Sequence, residues 1–416
     1  MPKVKKKKNH LKKIVKDIKS SKSKFTLSET ITIMIVSVLV GILMGSSVTY
    51  GGDNITITKI PENLEELIST YNDITVNYYD KVDKKELINA AINAMVDSLN
   101  DPYSDFMVKE ESSTFNETIE GEYAGIGATV SFDGNNAVVE AMYKKSPSKK
   151  AGMKVGDKII SVDGKSTENK NLEDITKLIR GKAGTVVNIK VLRGEKEIEL
   201  KVKRSKIAIP SVDSKIIEKD GKKIGYISIS IFAANTDKQF EEELKDLEKN
   251  KIDSLIIDVR NNPGGHLLQV TNVIELFTKK NKIIYQISKK GSIKKVKDKT
   301  KESRDYDVVV LINRSSASAA EVLSSALKYS YGAKLVGTTT YGKGTVQSSY
   351  KLDNGATLKY TTQKWLTAKG TWINSKGVNP DYEVVLDEEY YEDRNEEKDN
   401  QLQKAIEVLI EKEKTK

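Results

Sequence analysis

Ser254-Leu255-Ile256-Ile257-Asp258-Val259-Arg260-Asn261-Asn262-Pro263-Gly264-Gly265 is the stretch that decides the fold class. Its first six residues are mostly apolar and of strand length, suited to a strand buried on both faces. Asn-Asn-Pro-Gly-Gly then ends the strand in a turn, and Leu267 to Phe277 carries a helix pattern. Upstream, Ile224 to Ile231 alternates as a strand, and Asn235 to Lys249 reads as a polar amphipathic helix. Downstream, Val308 to Ile312 is a second buried strand, leading through Asn313–Glu321 into a helix that reaches Leu327. Strand, loop and helix repeated in this order predict an α/β domain with crossover connections over residues 206–386. In such domains the chemistry sits in the loops after the strands.

Three loops carry candidate chemistry. Gly264-Gly265 lets backbone N–H groups approach a ligand closely, because glycine has no Cβ in the way. Ser318 opens a helix, where free N–H groups and the helix dipole favour the negative charge of a tetrahedral oxyanion. Ser318-Ala319-Ala320-Glu321 is equally a capping box, in which the serine only terminates the helix. Ser315 and Ser316 are rival serines, better suited to forming the loop. Lys343 lies between Gly342 and Gly344. It acts as a base only where burial lowers its pKa from ~10.4 towards ~7–8; otherwise it is a solvated residue in a Gly-rich turn. Gly-Lys-Gly lacks the spaced glycines of a phosphate loop.

Composition narrows the chemistry. The 416 residues include no cysteine and two histidines, His10 and His266. Disulfides, a cysteine nucleophile and a histidine-rich metal centre are excluded. Few bases other than lysine remain for a serine, and no metal or cofactor is expected. The net charge of +10 is confined to one end. Residues 1–24 hold eleven of the 69 basic residues and one of the 59 acidic ones, which leaves 58 of each in the rest. A neutral body gives no footprint for nucleic acid.

The basic tail instead flanks residues 31–49, ITIMIVSVLVGILMGSSVT, which carry no charge. Nineteen residues at ~1.5 Å each roughly match a ~30 Å hydrocarbon core. The lysine-rich flank predicts a cytoplasmic N-terminus. A cleaved secretory signal is the alternative, but the apolar run exceeds its usual ~7–15 residues. The expectation is a single-pass cell-membrane protein: basic tail 1–25, anchor 26–50, and everything beyond about residue 50 outside the cytoplasmic membrane.

Residues 51–116 read as a helical arm, from Pro61 through Leu64, Leu67 and Ile68, then from Leu87 to Leu99. The pattern stops at Asn100-Asp101-Pro102, and nothing in the arm suggests chemistry. Residues 117–205 change character. Short β-like runs alternate with Gly-rich turns around one amphipathic helix, Leu172 to Ile179, the signature of a compact β-rich module. Tyr123-Ala124-Gly125-Ile126-Gly127 and Gly156-Asp157-Lys158-Ile159-Ile160-Ser161-Val162-Asp163-Gly164 resemble a PDZ domain. That resemblance implies that N–H groups of the Gly125–Gly127 loop bind a peptide's C-terminal carboxylate, with the peptide added as a strand. The alternative is that these glycines only make a tight turn. Residues 387–416 are acidic, then amphipathic. Ile406, Val408, Leu409 and Ile410 suggest a closing helix suited to a homodimer contact.

Three motifs in order make the chain resemble the C-terminal processing peptidases, or tail-specific proteases. They are Asp258–Gly265, Ser316-Ala317-Ser318-Ala319-Ala320-Glu321, and Tyr341-Gly342-Lys343-Gly344-Thr345-Val346-Gln347, within a similarity running from Asp101-Pro102-Tyr103-Ser104 to Gly377-Val378-Asn379-Pro380-Asp381. The resemblance implies an α+β multidomain protein with an α/β core of crotonase and ClpP type. It further implies a Ser-Lys dyad of Ser318 and Lys343, oriented by Gln347. The oxyanion hole would come from Ala319 and either Gly264 or Gly265. Substrates would be proteins or peptides with apolar C-termini, with the PDZ domain blocking or admitting them. The family usually has a serine at Ala320 and an apolar residue at His266, so His266 stands as a rival base. Two other readings remain at this stage, a catalytically inactive membrane-anchored PDZ scaffold and a crotonase-type acyl-CoA enzyme.

Overall fold

The computed structural model describes residues 61–414, except residues 135, 144, 301, 302 and 394. The basic tail and the expected anchor, residues 1–50, lie outside the described residues. Among those described, no helix is long and apolar enough to cross a membrane. The chain divides into two units, residues 1–87 and 88–416.

In the first unit, helix α1 (Glu62–Asn77) carries Leu64, Leu67 and Ile68 at the three- and four-residue spacing of one helical face, all three exposed. Helix α2 (Lys84–Asp97) starts there and continues into the second unit. In that second unit, Val96 packs with Phe106 and Ala356. Strand β1 (Asp105–Met107) and helix α3 (Lys109–Glu120) follow. Helix α3 runs through the expected arm boundary at residue 116 and ends where Gly121 takes a left-handed φ of 66°.

The β-rich module contains β2 (Glu122–Gly125), β3 (Ala128–Asp133), β4 (Asn136–Met142), the short α4 (Pro147–Lys150), β5 (Lys158–Val162), β6 (Lys165–Ser166), α5 (Leu172–Ile179), β7 (Val186–Arg193), β8 (Lys196–Lys203) and β9 (Ser205–Ala208). Strands β3-β4-β5-β7-β8 form one sheet, with β6 on β5, and β2 pairs with β9 in a separate ribbon. Period-two alternation on β7 sends Val187, Ile189 and Val191 inward against Ile175 of α5, all fully buried.

The α/β core comprises β10 (Val212–Lys219), β11 (Lys222–Ile229), α6 (Thr236–Lys249), β12 (Ser254–Asp258), α7 (Leu267–Glu275), β13 (Ile283–Lys289), β14 (Ser292–Lys297), β15 (Asp307–Ile312), α8 (Ala319–Ala326), β16 (Lys334–Gly337), β17 (Thr345–Lys351), β18 (Thr357–Thr367), β19 (Tyr382–Glu383), α9 (Glu388–Asp393) and α10 (Asn400–Lys414). The main sheet has the order β10-β11-β12-β15-β16-β19, parallel from β11 to β19. A second, antiparallel sheet joins β1, β18, β13 and β14, with β17 on β18. Strand β1 thus reaches the core from the arm, Phe106 opposite Leu358.

Both faces of the main sheet are covered, which is why β12 and β15 read as unbroken apolar runs. One face sends Leu255, Ile257, Val308 and Val310 into a cluster with α6, α7 and α8. The other sends Ile256, Val309 and Leu311 against Leu402, Ile406, Val408 and Leu409 of α10. Each such buried side chain contributes roughly 1.5–3 kcal/mol. Helix α10 thus closes the sheet, as Ile406, Val408, Leu409 and Ile410 suggest, and its apolar stripe is covered by its own sheet. Arg260, after β12, ties that helix in place by pairing with Asp258 at 2.6 Å and Asp399 at 2.8 Å, all three largely buried. Burial opposes the guanidinium charge, yet the two carboxylates hold its pKa above the usual value.

Candidate active site

Three loops leave the same edge of the main sheet, after β12, β15 and β16. The β15 loop is fixed first. Ser316 Oγ, fully buried, donates to Val259 O at 2.8 Å and accepts the Asn313 N–H at 2.9 Å. Ser316 is therefore a loop-former, and Ser315, which is exposed, donates its N–H to Asn313 Oδ1. Ser318 follows as the N-cap of α8, with φ 53° and ψ −113°. That left-handed backbone costs a non-glycine residue about 1–3 kcal/mol, a strain typical of reactive turns.

Asn262 stitches the β12 loop to the β15 loop. Fully buried, it donates Nδ2 to Ile229 O at 2.8 Å, accepts Gly264 N–H on Oδ1 at 2.8 Å and accepts Ala317 N–H on its carbonyl at 2.9 Å. Gly264 (φ 104°) lies so close to the Ser318 loop that a Cβ there would sit 2.7 Å from Ser318 Cβ and 3.0 Å from Ala319 N. Only glycine fits. The Gly264 N–H is committed to Asn262, whereas the N–H groups of Gly265 and Ala319 donate to no described residue. Those two are the donors left for an anion at Ser318.

The third loop presents Lys343. Trp365 Nε1 donates to Lys343 O at 2.8 Å and Trp372 Nε1 to Gly344 O at 2.9 Å, so the backbone on either side is anchored. Lys343 and Ser318 line one cavity of about 550 Å³, together with Phe115, Ile119, His266 and Gln347. Burial pushes the Lys343 pKa down, and the charge of Lys359 in the same cavity adds to this. Asp101 and Glu321 pull it back up. Gln347 sits on β17, opposite Thr361, and donates Nε2 to the hydroxyls of Thr345 at 3.0 Å and Thr361 at 2.9 Å.

Glu321 joins the serine and lysine loops. The carboxylate is completely buried. Oε2 accepts the N–H groups of Ser318 and Lys343, each at 2.8 Å. Oε1 accepts Gly342 N–H and Thr340 Oγ1, each at 2.6 Å. All four partners donate, which suits the ionised, acceptor-only form, although burial pushes the carboxyl pKa upward. Only the Glu321 half of the capping box forms, Oε2 accepting the Ser318 N–H, while the Ser318 side chain makes no capping bond; capping is one half of the glutamate's work.

The arm reaches this site too, a correction to its reading as chemically silent. Lys343 Nζ lies over the ring of Tyr103, 4.5 Å from its centroid. Neither Tyr103 nor Asn262 stood out in the sequence, although Asp101-Pro102-Tyr103-Ser104 was legible as the turn that ends the arm helices. Phe115 and Ile119 of α3 were likewise missed as cavity walls. His266 is where the β12 loop enters α7, and its Nε2 is buried without a hydrogen-bond partner among the described residues.

In the β-rich module, Tyr123 and Ala124 lie on β2, and Gly125, Ile126 and Gly127 are buried. Ile126 O accepts Ser148 N–H at 2.9 Å, and Gly127 O accepts Tyr143 N–H at 3.1 Å. Arg180, just past α5, pairs with Glu117 of α3 at 2.6 Å and stacks over the Tyr123 ring at 5.1 Å. The loop is thus physically linked to the helix that walls the cavity shared by Ser318 and Lys343.

Comparison with known proteins bears on this arrangement. Residues 223–384 match the model for peptidase family S41, residues 138–193 a PDZ domain, and residues 45–111 the N-terminal domain of the activating protease CtpB. The carboxy-terminal processing protease CtpA of Bacillus subtilis is 38% identical over 358 residues, covering 86% of this chain and 76% of the relative. The chain belongs to peptidase family S41. CtpB of the same organism is 35% identical over 367 residues, covering 84% of this chain and 76% of that protein. A probable CtpA-like serine protease of Staphylococcus saprophyticus is 36% identical over 366 residues, with 86% and 74% covered. This S41 chain is a serine-type peptidase carrying a PDZ domain, and its substrates are proteins or peptides.

Proposed function

We propose that this peptidase is a single-pass membrane protein that admits protein C-terminal tails through its PDZ domain and cleaves near them by a Ser318–Lys343 acyl-enzyme mechanism. The observation that carries this reading is the shared cavity. Ser318 on its strained turn and a half-buried, pKa-depressed Lys343 line one space, on loops joined by a single carboxylate.

The steps follow from the groups present. Neutral Lys343 takes the Ser318 proton as Oγ attacks the scissile carbonyl. The oxyanion accepts from the N–H groups of Ala319 and Gly265, Gly264 being engaged by Asn262. The leaving amine receives the proton from Lys343, and the neutral Lys343 then takes a proton from water, which attacks the acyl group, and returns it to Ser318 Oγ as that leaves. Gln347 on β17 is the proposed orienting residue for the lysine. Apolar walls from Phe115, Ile119, Ile231, Leu267 and Val346 favour an apolar side chain at the bond cut. Tyr123-Ala124-Gly125-Ile126-Gly127 is the proposed carboxylate-binding loop, and its link to α3 through Arg180 offers a route from tail binding to the cavity.

A soluble fragment starting near residue 52 is expected to hydrolyse an unstructured protein with an apolar C-terminus. The same protein ending in aspartates is expected to be spared. Ser318→Ala is expected to bind the apolar tail and leave it intact. Continued cleavage by Ser318→Ala would sink the nucleophile assignment, and binding without any wild-type cleavage would favour a scaffold. Anchoring has its own measurement. Full-length chain should stay in the membrane pellet after alkaline extraction, and deletion of residues 26–50 should release it.

A further inference from the structure

Lys343 is anchored by its own loop, yet its amine lies against a residue 240 positions away. Lys343 Nζ is 4.5 Å from the centroid of the Tyr103 ring, within the range of a cation–π contact. Tyr103 is half-buried and held from several sides. Its N–H donates to Asp101 Oδ1 at 3.2 Å, and Ser104 Oγ donates to Asp101 Oδ2 at 2.6 Å. Ser104 Oγ in turn accepts the N–H of Thr361 on β18 at 3.2 Å. Strand β1, immediately after, pairs with β18 through Asp105, Phe106 and Met107. The turn that ends the arm is thereby tied to the strand beside Gln347. The pKa of the Tyr103 hydroxyl is pushed up to about 12, chiefly by burial, with Tyr341 adding to the shift. The ring stays a neutral phenol at all working pH values.

Resting on the dyad reading, we propose that Tyr103 is a positioning residue for the general base, its ring face holding the Lys343 ammonium and so setting how readily that lysine gives up its proton. The ring quadrupole attracts the ammonium and not the neutral amine, so the contact favours the charged form. It works against burial and against Lys359, and with the carboxylates of Asp101 and Glu321. Lys359 is itself restrained by Asp105 at 3.6 Å and lies over the Phe115 ring. The consequence is regulatory. Displacing the Asp101–Ser104 turn removes an attraction for the ammonium and makes Lys343 a base at lower pH.

The test is the pH dependence of kcat/KM for tail hydrolysis, measured in the full-length chain. Tyr103→Leu and Tyr103→Met each remove the π face while keeping an apolar volume. Both are expected to move the midpoint of the acid limb to lower pH by roughly half a unit to one unit. Tyr103→Phe keeps the face and is expected to restore the wild-type midpoint. A merely structural role would lower the plateau without moving the midpoint. Profiles of Leu and Met variants that superimpose on wild type, or that shift to higher pH, overturn the proposal, as does a Phe variant that shifts like Leu. Lys343→Ala run alongside separates the two ideas. If it retains activity the dyad itself is wrong, and if it is inactive while the Tyr103 profiles stay put, only the positioning role fails.

Discussion

Replacing Lys343 with alanine is expected to lower kcat/KM for tail hydrolysis by about 10⁴-fold, the usual loss when the base paired with a serine nucleophile is removed. Lys343→Arg is expected to be as inactive, because a guanidinium keeps its proton at any working pH. That pair of variants separates a general base from a positive charge that merely attracts substrate. In wild type the active form is the neutral amine, so kcat/KM should rise with pH through the lysine's folded pKa. Burial and Lys359 place that midpoint below the ordinary lysine value of ~10.4. Stability rises with pH in the same direction. A lysine whose folded pKa is depressed must bury a charge below that pKa, a penalty that disappears above its unfolded pKa. Lys343→Met should therefore unfold at the same temperature as wild type or higher near neutral pH, while being inactive. Residual activity within tenfold of wild type in the alanine variant would transfer the base role elsewhere, with His266 in the same cavity as the next candidate.

Glu321→Ala is expected to cost at least about 3 kcal/mol of stability and to lower kcat/KM about 10³-fold. The carboxylate satisfies three backbone N–H groups and one hydroxyl, all in a buried place. Removing it leaves donors with no acceptor, at about 1–3 kcal/mol each before any relaxation. Catalysis falls because Ser318 and Lys343 lose the acceptor they share, and small errors in their registry are costly. Glu321→Gln separates the two effects. Its amide keeps the shape but must turn an N–H₂ towards one pair of donors, so the protein should fold while activity drops about 10²-fold. Urea unfolding with parallel kinetics reads both quantities. A glutamine variant with wild-type kcat/KM would reduce Glu321 to a helix cap.

The strands and helices around the site were legible because their signals are local. Val308–Ile312 and Ser254–Val259 are too continuously apolar to be anything but buried strands, and β12 and β15 lie there. The amphipathic run Leu172–Ile179 coincides with α5. Gly264 was legible for the same reason, since a glycine after a strand signals close approach, and here the neighbour is Ser318 itself. The closing helix α10 was legible, but not the surface that it covers. Its apolar stripe is visible in the chain, but which surface absorbs it depends on which face of the sheet is left open.

The sequence by itself determined the strands and helices around β12 and β15, the reactive candidates Ser318 and Lys343, and the exclusion of cysteine chemistry and of a histidine-rich metal centre. These follow from residue identity, periodicity and the conformational limits of glycine and proline, all readable within a few residues. Only the tertiary structure decided what surrounds the lysine. Tyr103 lies over Lys343 because β1 pairs with β18. Glu321 reaches Gly342 and Lys343 because the β15 and β16 loops leave neighbouring parallel strands. Burial and charge at a point in space set how basic an amine is, and neither is written near that amine in the chain.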